Sequence, residues 1–201
     1  MINCVLFDMD GVLVDACEWH RKALNKALVQ HGYPEISLSD HYHKYNGLPT
    51  RVKLKLMGID DSVATEIETD KQLCTLLLIA EECRPQQNVT DTLKYLKSLN
   101  IKTGCVTNSV PKTAHPILGR SGLLPYLDVV ITNTDVKYNK PSPDCYLLAC
   151  QKLKVNPSNT LVVEDSPKGI QAGIDSGCKV RVLFSIEDLT PEFIQQELEK
   201  Y

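Results

Sequence analysis

From about residue 90 to the end of the chain, short apolar runs alternate with segments of helical period. Strands are read at 102–107, 128–132, 159–164 and 179–183. Helices are read at about 90–99, at about 113–121, within 141–153, from Ser166-Pro167 to Ser176-Gly177, and after Pro191. A helix between two strands carries the chain back across the sheet, so successive strands run the same way. The expected fold is α/β, a doubly wound parallel sheet with helices on both faces. A further buried strand ends at Phe7, because the run from Cys4 is short, uncharged and β-prone.

The stretch between that strand and residue 85 breaks the rhythm. Residues 16–31 read as a helix, with Trp19, Ala23, Leu24, Ala27 and Leu28 at helical spacing, stopped by Gly32 and Pro34. Ser37 or Ser39 can cap a short helix through Tyr45, which Asn46-Gly47 then breaks. Residues 50–57 alternate apolar and basic side chains, a strand-like pattern, but between helices they are read as helix. Asp60 or Asp61 opens a longer helix to about Cys83, and residues 84–88 form a polar connector. The expected domains are an α/β core of residues 1–15 and 85–201 and an inserted helical domain of residues 16–84.

Composition narrows the function classes. The net charge is -3 and no long basic run occurs, so neither nucleic acid nor an anionic membrane is an expected partner. The longest apolar stretch, Leu76 to Ala80, is too short to span a bilayer. Acids appear by position 8, unlike a signal peptide. None of the eight cysteines forms Cys-x-x-Cys, so they read as reduced thiols of a cytoplasmic protein. The chain is expected to act as a monomer or weak dimer.

The first strand ends in Asp8-Met9-Asp10-Gly11. Two carboxylates at a strand end repel each other unless a cation lies between them or one holds a proton. In open α/β sheets, ligands bind at the carboxyl ends of the strands. Thr107-Asn108, Lys140 and Glu164-Asp165 also fall at or just past such ends, so all four positions can converge. Taken singly, each has an ordinary reading: a turn threonine, a solvated loop lysine, a helix cap. As a set they make a phosphoryl-transfer site. Carboxylates hold a hard cation, a hydroxyl and an ammonium steady the phosphate oxygens, and aspartates supply a nucleophile and an acid/base.

The ordered set resembles the haloacid dehalogenase superfamily over nearly the whole chain. Phe7 to Asp15, Val106-Thr107-Asn108-Ser109, Lys140-Pro141-Ser142-Pro143-Asp144 and Val162 to Ile170 are similar to its four motifs. The helical insert resembles the cap of the subgroup containing β-phosphoglucomutase and phosphoglycolate phosphatase. The resemblance implies Asp8 as nucleophile and Mg²⁺ ligand. It implies Asp10 as general acid/base, binding Mg²⁺ through its carbonyl. Thr107 and Asn108 would hold the phosphoryl group, and Lys140 would neutralise charge beside Asp8. Asp165 would complete the metal site, with Glu164 a ligand directly or through water. In the cap, His20 and Arg51 match positions where β-phosphoglucomutase-like proteins place a histidine and a phosphate-facing arginine, and Gly47-Leu48-Pro49-Thr50-Arg51 looks like the cap loop that dips toward the active site. Lys53 and Lys55 read as a solvated basic face. His41-x-His43 lacks a third metal ligand. Gly169, Gly173 and Gly177 suit close helix packing rather than a dinucleotide fingerprint.

These features lead to a Mg²⁺-dependent phosphatase acting on a small phosphorylated metabolite, a sugar or polyol phosphate, through an aspartyl-phosphate. A phosphomutase shares every core residue. Ala16 departs from the threonine usual in such mutases and weighs against that reading. A non-catalytic phosphate- or partner-binding module is the third reading, against which the intact acidic set argues.

Overall fold

The computed structural model of the protein describes residues 1–45 and 48–201. The chain divides into two compact units, Met1–Asp15 with Arg84–Tyr201, and Ala16–Cys83.

The first unit holds five parallel strands: β1 (Cys4–Phe7), β2 (Lys102–Val106), β3 (Val129–Ile131), β4 (Thr160–Glu164) and β5 (Lys179–Val182). Their order is β3-β2-β1-β4-β5. β1 is therefore central, with Phe7 level with Cys105 on one side and Val163 on the other. The chain winds outward from β1 through β2 to β3, then returns to β4 on the other side of β1. That reversal opens a crevice at the carboxyl end of β1, where ligands bind in this architecture. Every residue of β1 is buried, which explains its uninterrupted apolar run.

The second unit is helical: α1 (Cys17–Gln30), α2 (Leu38–Asp40), a single π turn (His41–Tyr45), α3 (Thr50–Leu56) and α4 (Asp61–Glu82). Its core joins Leu24, Ala27 and Leu28 of α1 to Leu54 of α3 and Ala64 and Ile67 of α4. Asn25 ties down the following loop by bonding both the N–H and the carbonyl of Ile36, at 2.9 and 3.0 Å. Ser37 caps α2 by accepting from the Asp40 N–H. Asp60 stands at the N-cap of α4 without a side-chain bond into it. The expected break at Asn46-Gly47 lies outside the described residues.

The remaining helices belong to the first unit: α5 (Gln87–Ser98), α6 (Pro111–Arg120), α7 (Asp144–Leu153), α8 (Pro167–Asp175) and α9 (Pro191–Leu198). α7 packs on β2 and β3, α8 on β4 and β5, and α5 on β2 and α9. Cys4 and Leu6 join the apolar cluster under α7 and α8. Two helices start earlier than their periodicity suggests. α6 begins at Pro111, whose fixed φ suits a first helical turn. α5 begins at Gln87, taking up part of the expected polar connector. Among the described residues no helix is long and apolar enough to cross a membrane.

Candidate active site

The site begins where β1 ends. Beyond Phe7 the chain turns back on itself, with Gly11 N–H bonded to Val14 O at 2.8 Å and Val14 N–H to Met9 O at 2.9 Å. Gly11 has φ +92°, a conformation that side-chain-bearing residues resist, and a Cβ there would run into the Asp165 carboxylate. The turn thus brings β1's aspartates and the end of β4 to close approach.

Lys140 is the hub. Its buried ammonium donates to Asp8 Oδ1 at 2.6 Å, Glu164 Oε1 at 2.6 Å and Val106 O at 2.7 Å. An ammonium has three protons, so all three are used. Burial works against its charge, but Asp8, Tyr146 and Glu164 more than offset that and hold it well above the ordinary lysine range. Burial pushes Asp8 the other way, toward the protonated form. The Lys140 charge opposes that push, while Glu164 and Asp10 reinforce it.

Glu164 is fully buried. Oε1 accepts from Lys140 and, at 2.9 Å, from the Tyr146 hydroxyl, while Oε2 accepts from the N–H groups of Asp165 and Ser166 and from Ser166 Oγ. A direct metal ligand at Glu164 would have to share oxygens already engaged in this way. Asp165 is more open. Desolvation at the sheet edge and then the Glu164 charge raise its pKa to about 6. Ser109 Oγ donates to Asp10 Oδ2 at 3.0 Å and fixes that carboxylate's orientation.

The structure therefore brings Asp8, Asp10, Thr107, Asn108, Lys140, Glu164 and Asp165 to one edge of the sheet. Oxygens of Asp8, Glu164 and Asp165 lie within 4.8 Å of one another. That donor set is all carboxylate oxygen with one ammonium, so its negative charge is incompletely offset. A hard divalent cation such as Mg²⁺ fits it, and would reverse the upward push on Asp8 and Asp165.

Three expected side chains have partners or surroundings that the sequence did not show. Asn108 is expected to hold a phosphoryl group, but its amide is bound to the Lys140 backbone, accepting from N at 3.1 Å and donating to O at 3.3 Å. Its side chain thereby positions the Lys140 backbone. Arg51 is expected to face a substrate phosphate, but its guanidinium donates to Glu68 Oε2 at 2.5 Å, Asp61 O at 3.0 Å and Thr65 Oγ1 at 3.1 Å. Two acids of α4 hold it within the helical unit. Lys53 is not on a solvated face: it is buried, while Lys55 is exposed. Thr107 is buried, with Oγ1 accepting from the Ser109 N–H at 3.0 Å, which leaves its hydroxyl proton to donate elsewhere. His20 lies on α1, half-buried.

Ser109 and Tyr146 escape the sequence reading as site residues, and the close packing read at Gly169 proves to be against Glu164. Ser109 sits inside a quoted motif, and its spacing from Thr107 was the available signal. Nothing local marks Tyr146, whose partner is eighteen residues away. A Cβ at Gly169 would land on the Glu164 carboxylate, and one at Gly173 would come within 2.8 Å of Val180 Cγ2, so α8 packs closely on β4 and β5. Gly169→Ala is expected to displace Glu164 and cost about 1–3 kcal/mol by overpacking, read as a lower urea midpoint with unchanged slope.

A parallel sheet carrying a buried aspartate–lysine pair and an acidic cation site at its carboxyl edge defines a phosphoryl-transfer hydrolase. The profile of the haloacid dehalogenase-like hydrolases matches residues 2–177. The chain belongs to that family. It is 29% identical to a phosphorylated carbohydrates phosphatase of Thermotoga maritima, over 88% of this chain and 82% of that protein. It is 31% identical to the fructose-1-phosphate phosphatase YqaB of Escherichia coli, over 86% and 92%. A β-phosphoglucomutase structure from Clostridium difficile superposes with TM-score 0.83 at 25% identity, covering all of this chain and 99% of the other.

Proposed function

We propose that this phosphoric monoester hydrolase acts on a sugar or polyol phosphate, with Mg²⁺, through an aspartyl-phosphate on Asp8. The observation that carries the reading is the 2.6 Å contact between Asp8 Oδ1 and the Lys140 ammonium. An ammonium there opposes the protonation that burial favours at Asp8 and offsets charge gathering on the phosphoryl group. Asp8 attacks phosphorus as the ester P–O bond breaks, and Asp10 gives its proton to the departing oxygen. Asp10 then takes a proton from water as that water attacks phosphorus. The acyl-phosphate P–O bond breaks, restoring Asp8 and releasing inorganic phosphate. Thr107 donates its hydroxyl proton to a phosphoryl oxygen.

Asp8, Asp165 and the Asp10 carbonyl would hold Mg²⁺, with Glu164 acting through water. When bound, the ion supplies positive charge against the phosphate oxygens. The carbohydrate phosphatase and fructose-1-phosphate phosphatase relatives support a sugar phosphate as substrate. The helical unit is read as the family's cap domain, and His20 as one of its substrate-binding residues. The eight cysteines, none of them in a disulfide, suit a reducing, cytoplasmic setting.

The test is ³¹P NMR with Mg²⁺ and a pool of sugar phosphates that includes β-glucose 1-phosphate and a trace of the 1,6-bisphosphate. Inorganic phosphate should accumulate, and a chelator should stop it while excess Mg²⁺ restores it. Conversion of 1-phosphate to 6-phosphate without free phosphate would instead make this a mutase, the reading favoured by the β-phosphoglucomutase likeness. An unchanged spectrum would place the substrate outside the pool or make this a binding module.

A further inference from the structure

α3 is packed the wrong way round for an ordinary amphipathic helix. Val52 and Leu56, one turn apart, are 41% and 64% exposed, while Lys53 beside Leu54 is 9% exposed. Among the described residues, Lys53 makes no hydrogen bond and no ion pair. Five acids of the helical unit pair elsewhere: Glu18 with Arg21 at 2.5 Å, Glu68 with Arg51 at 2.5 Å, Asp70 with His31 at 2.8 Å, Asp40 with Lys44 at 2.7 Å and Glu82 with Lys22 at 3.1 Å, and among the described residues no acid acts on the Lys53 charge.

What faces Lys53 makes its burial worse. Burial itself, then the Lys71 charge on α4, lower its pKa to about 8, and the Cys17 thiol on α1 is the opposing influence. His41, 2% exposed, lies 3.5 Å through Nε2 from Cys17 Sγ. Burial, then Lys53, Arg21 and His20, lower the His41 pKa to about 4 against the pull of Glu18, so His41 is neutral at pH 7. A buried cation without a counter-charge is destabilising. Leu or Met at position 53 would avoid that cost and pack as well.

We infer that the helical unit contains an anion-binding site centred on Lys53, taking a phosphate or carboxylate group of a small metabolite. The missing counter-charge is supplied from outside the chain, and Lys53 receives it as a point charge. The site lies wholly among residues of the helical unit, so it does not depend on the phosphatase assignment.

Side-chain NMR of the full chain with ¹³C-labelled lysine tests this. In phosphate-free buffer one lysine should titrate near 8. It should vanish in Lys53→Met, or in Lys53→Gln should the first variant fold poorly. Millimolar inorganic phosphate should raise that titration by about half a pH unit relative to sodium chloride of equal ionic strength. No such rise, or no lysine titrating below the ordinary range, overturns the inference. Kinetics then identify where the anion comes from. A loss of about tenfold or more in kcat/KM for a hexose bisphosphate in Lys53→Met, with a hexose monophosphate unaffected, identifies the substrate's own second anionic group. A phosphate-induced shift with unchanged kinetics identifies a separate anion.

Discussion

Asp8→Asn should abolish phosphate release, by on the order of 10⁴-fold or more, the scale seen when a nucleophile that acts with its neighbours as a unit is removed. The amide keeps the shape of the side chain but cannot form the acyl-phosphate. The fold should survive, because Lys140 keeps Glu164 and Val106 O as acceptors. We expect a melting temperature within about 4 °C of wild type, equivalent to roughly 1 kcal/mol at this size. Wild-type phosphate release by a folded Asp8→Asn protein would refute the aspartyl-phosphate mechanism.

Lys140→Met should do damage of two kinds. Turnover should fall with the loss of the charge beside Asp8. Stability should also fall by about 3–5 kcal/mol, the usual consequence of stripping one partner from a buried ionic cluster. Asp8 and Glu164 would then share one buried site without the ammonium that bonds both. The loss should depend on pH. Burial, Glu164 and Asp10 already push Asp8 up, and the variant removes the opposing charge. A carboxyl whose folded pKa exceeds its unfolded value favours the folded state more as pH falls. The gap between variant and wild type should therefore be widest near pH 8 and narrow toward pH 5. Urea melts at both pH values check this, and a gap independent of pH would contradict the description of Lys140 as the counter-charge of that cluster.

The strand-ending acids were legible because they follow from local chemistry: an apolar run too short for anything but a buried strand, then charges. The parallel sheet was legible from the alternation after residue 90. Other roles depend on partners far away in the chain. Asn108 reads as a ligand-binding amide, and only the fold shows that Lys140, 32 residues on, engages both ends of its side chain. Arg51 reads as a phosphate clamp, and only the fold shows its guanidinium bonded to Glu68, 17 residues on. Alternation at 50–57 carries no information about burial once the segment is helical, because neighbours in a helix are about 100° apart. Lys53 and Leu54 therefore share the inner side, and Val52 and Leu56 the outer.

By itself, then, the sequence determined the sheet, the carboxyl-edge location of the acids and the chemical class of the site. Each of these follows from side-chain periodicity and from where charge interrupts an apolar run. Tertiary structure decided which acceptor each donor meets. It placed Tyr146 on Glu164, gave Gly169 its role as clearance for that carboxylate, and left Lys53 buried with the Lys71 charge acting against its own. Hydrogen bonds and ion pairs act over about 3–4 Å, and at that range only packing determines which residues become neighbours.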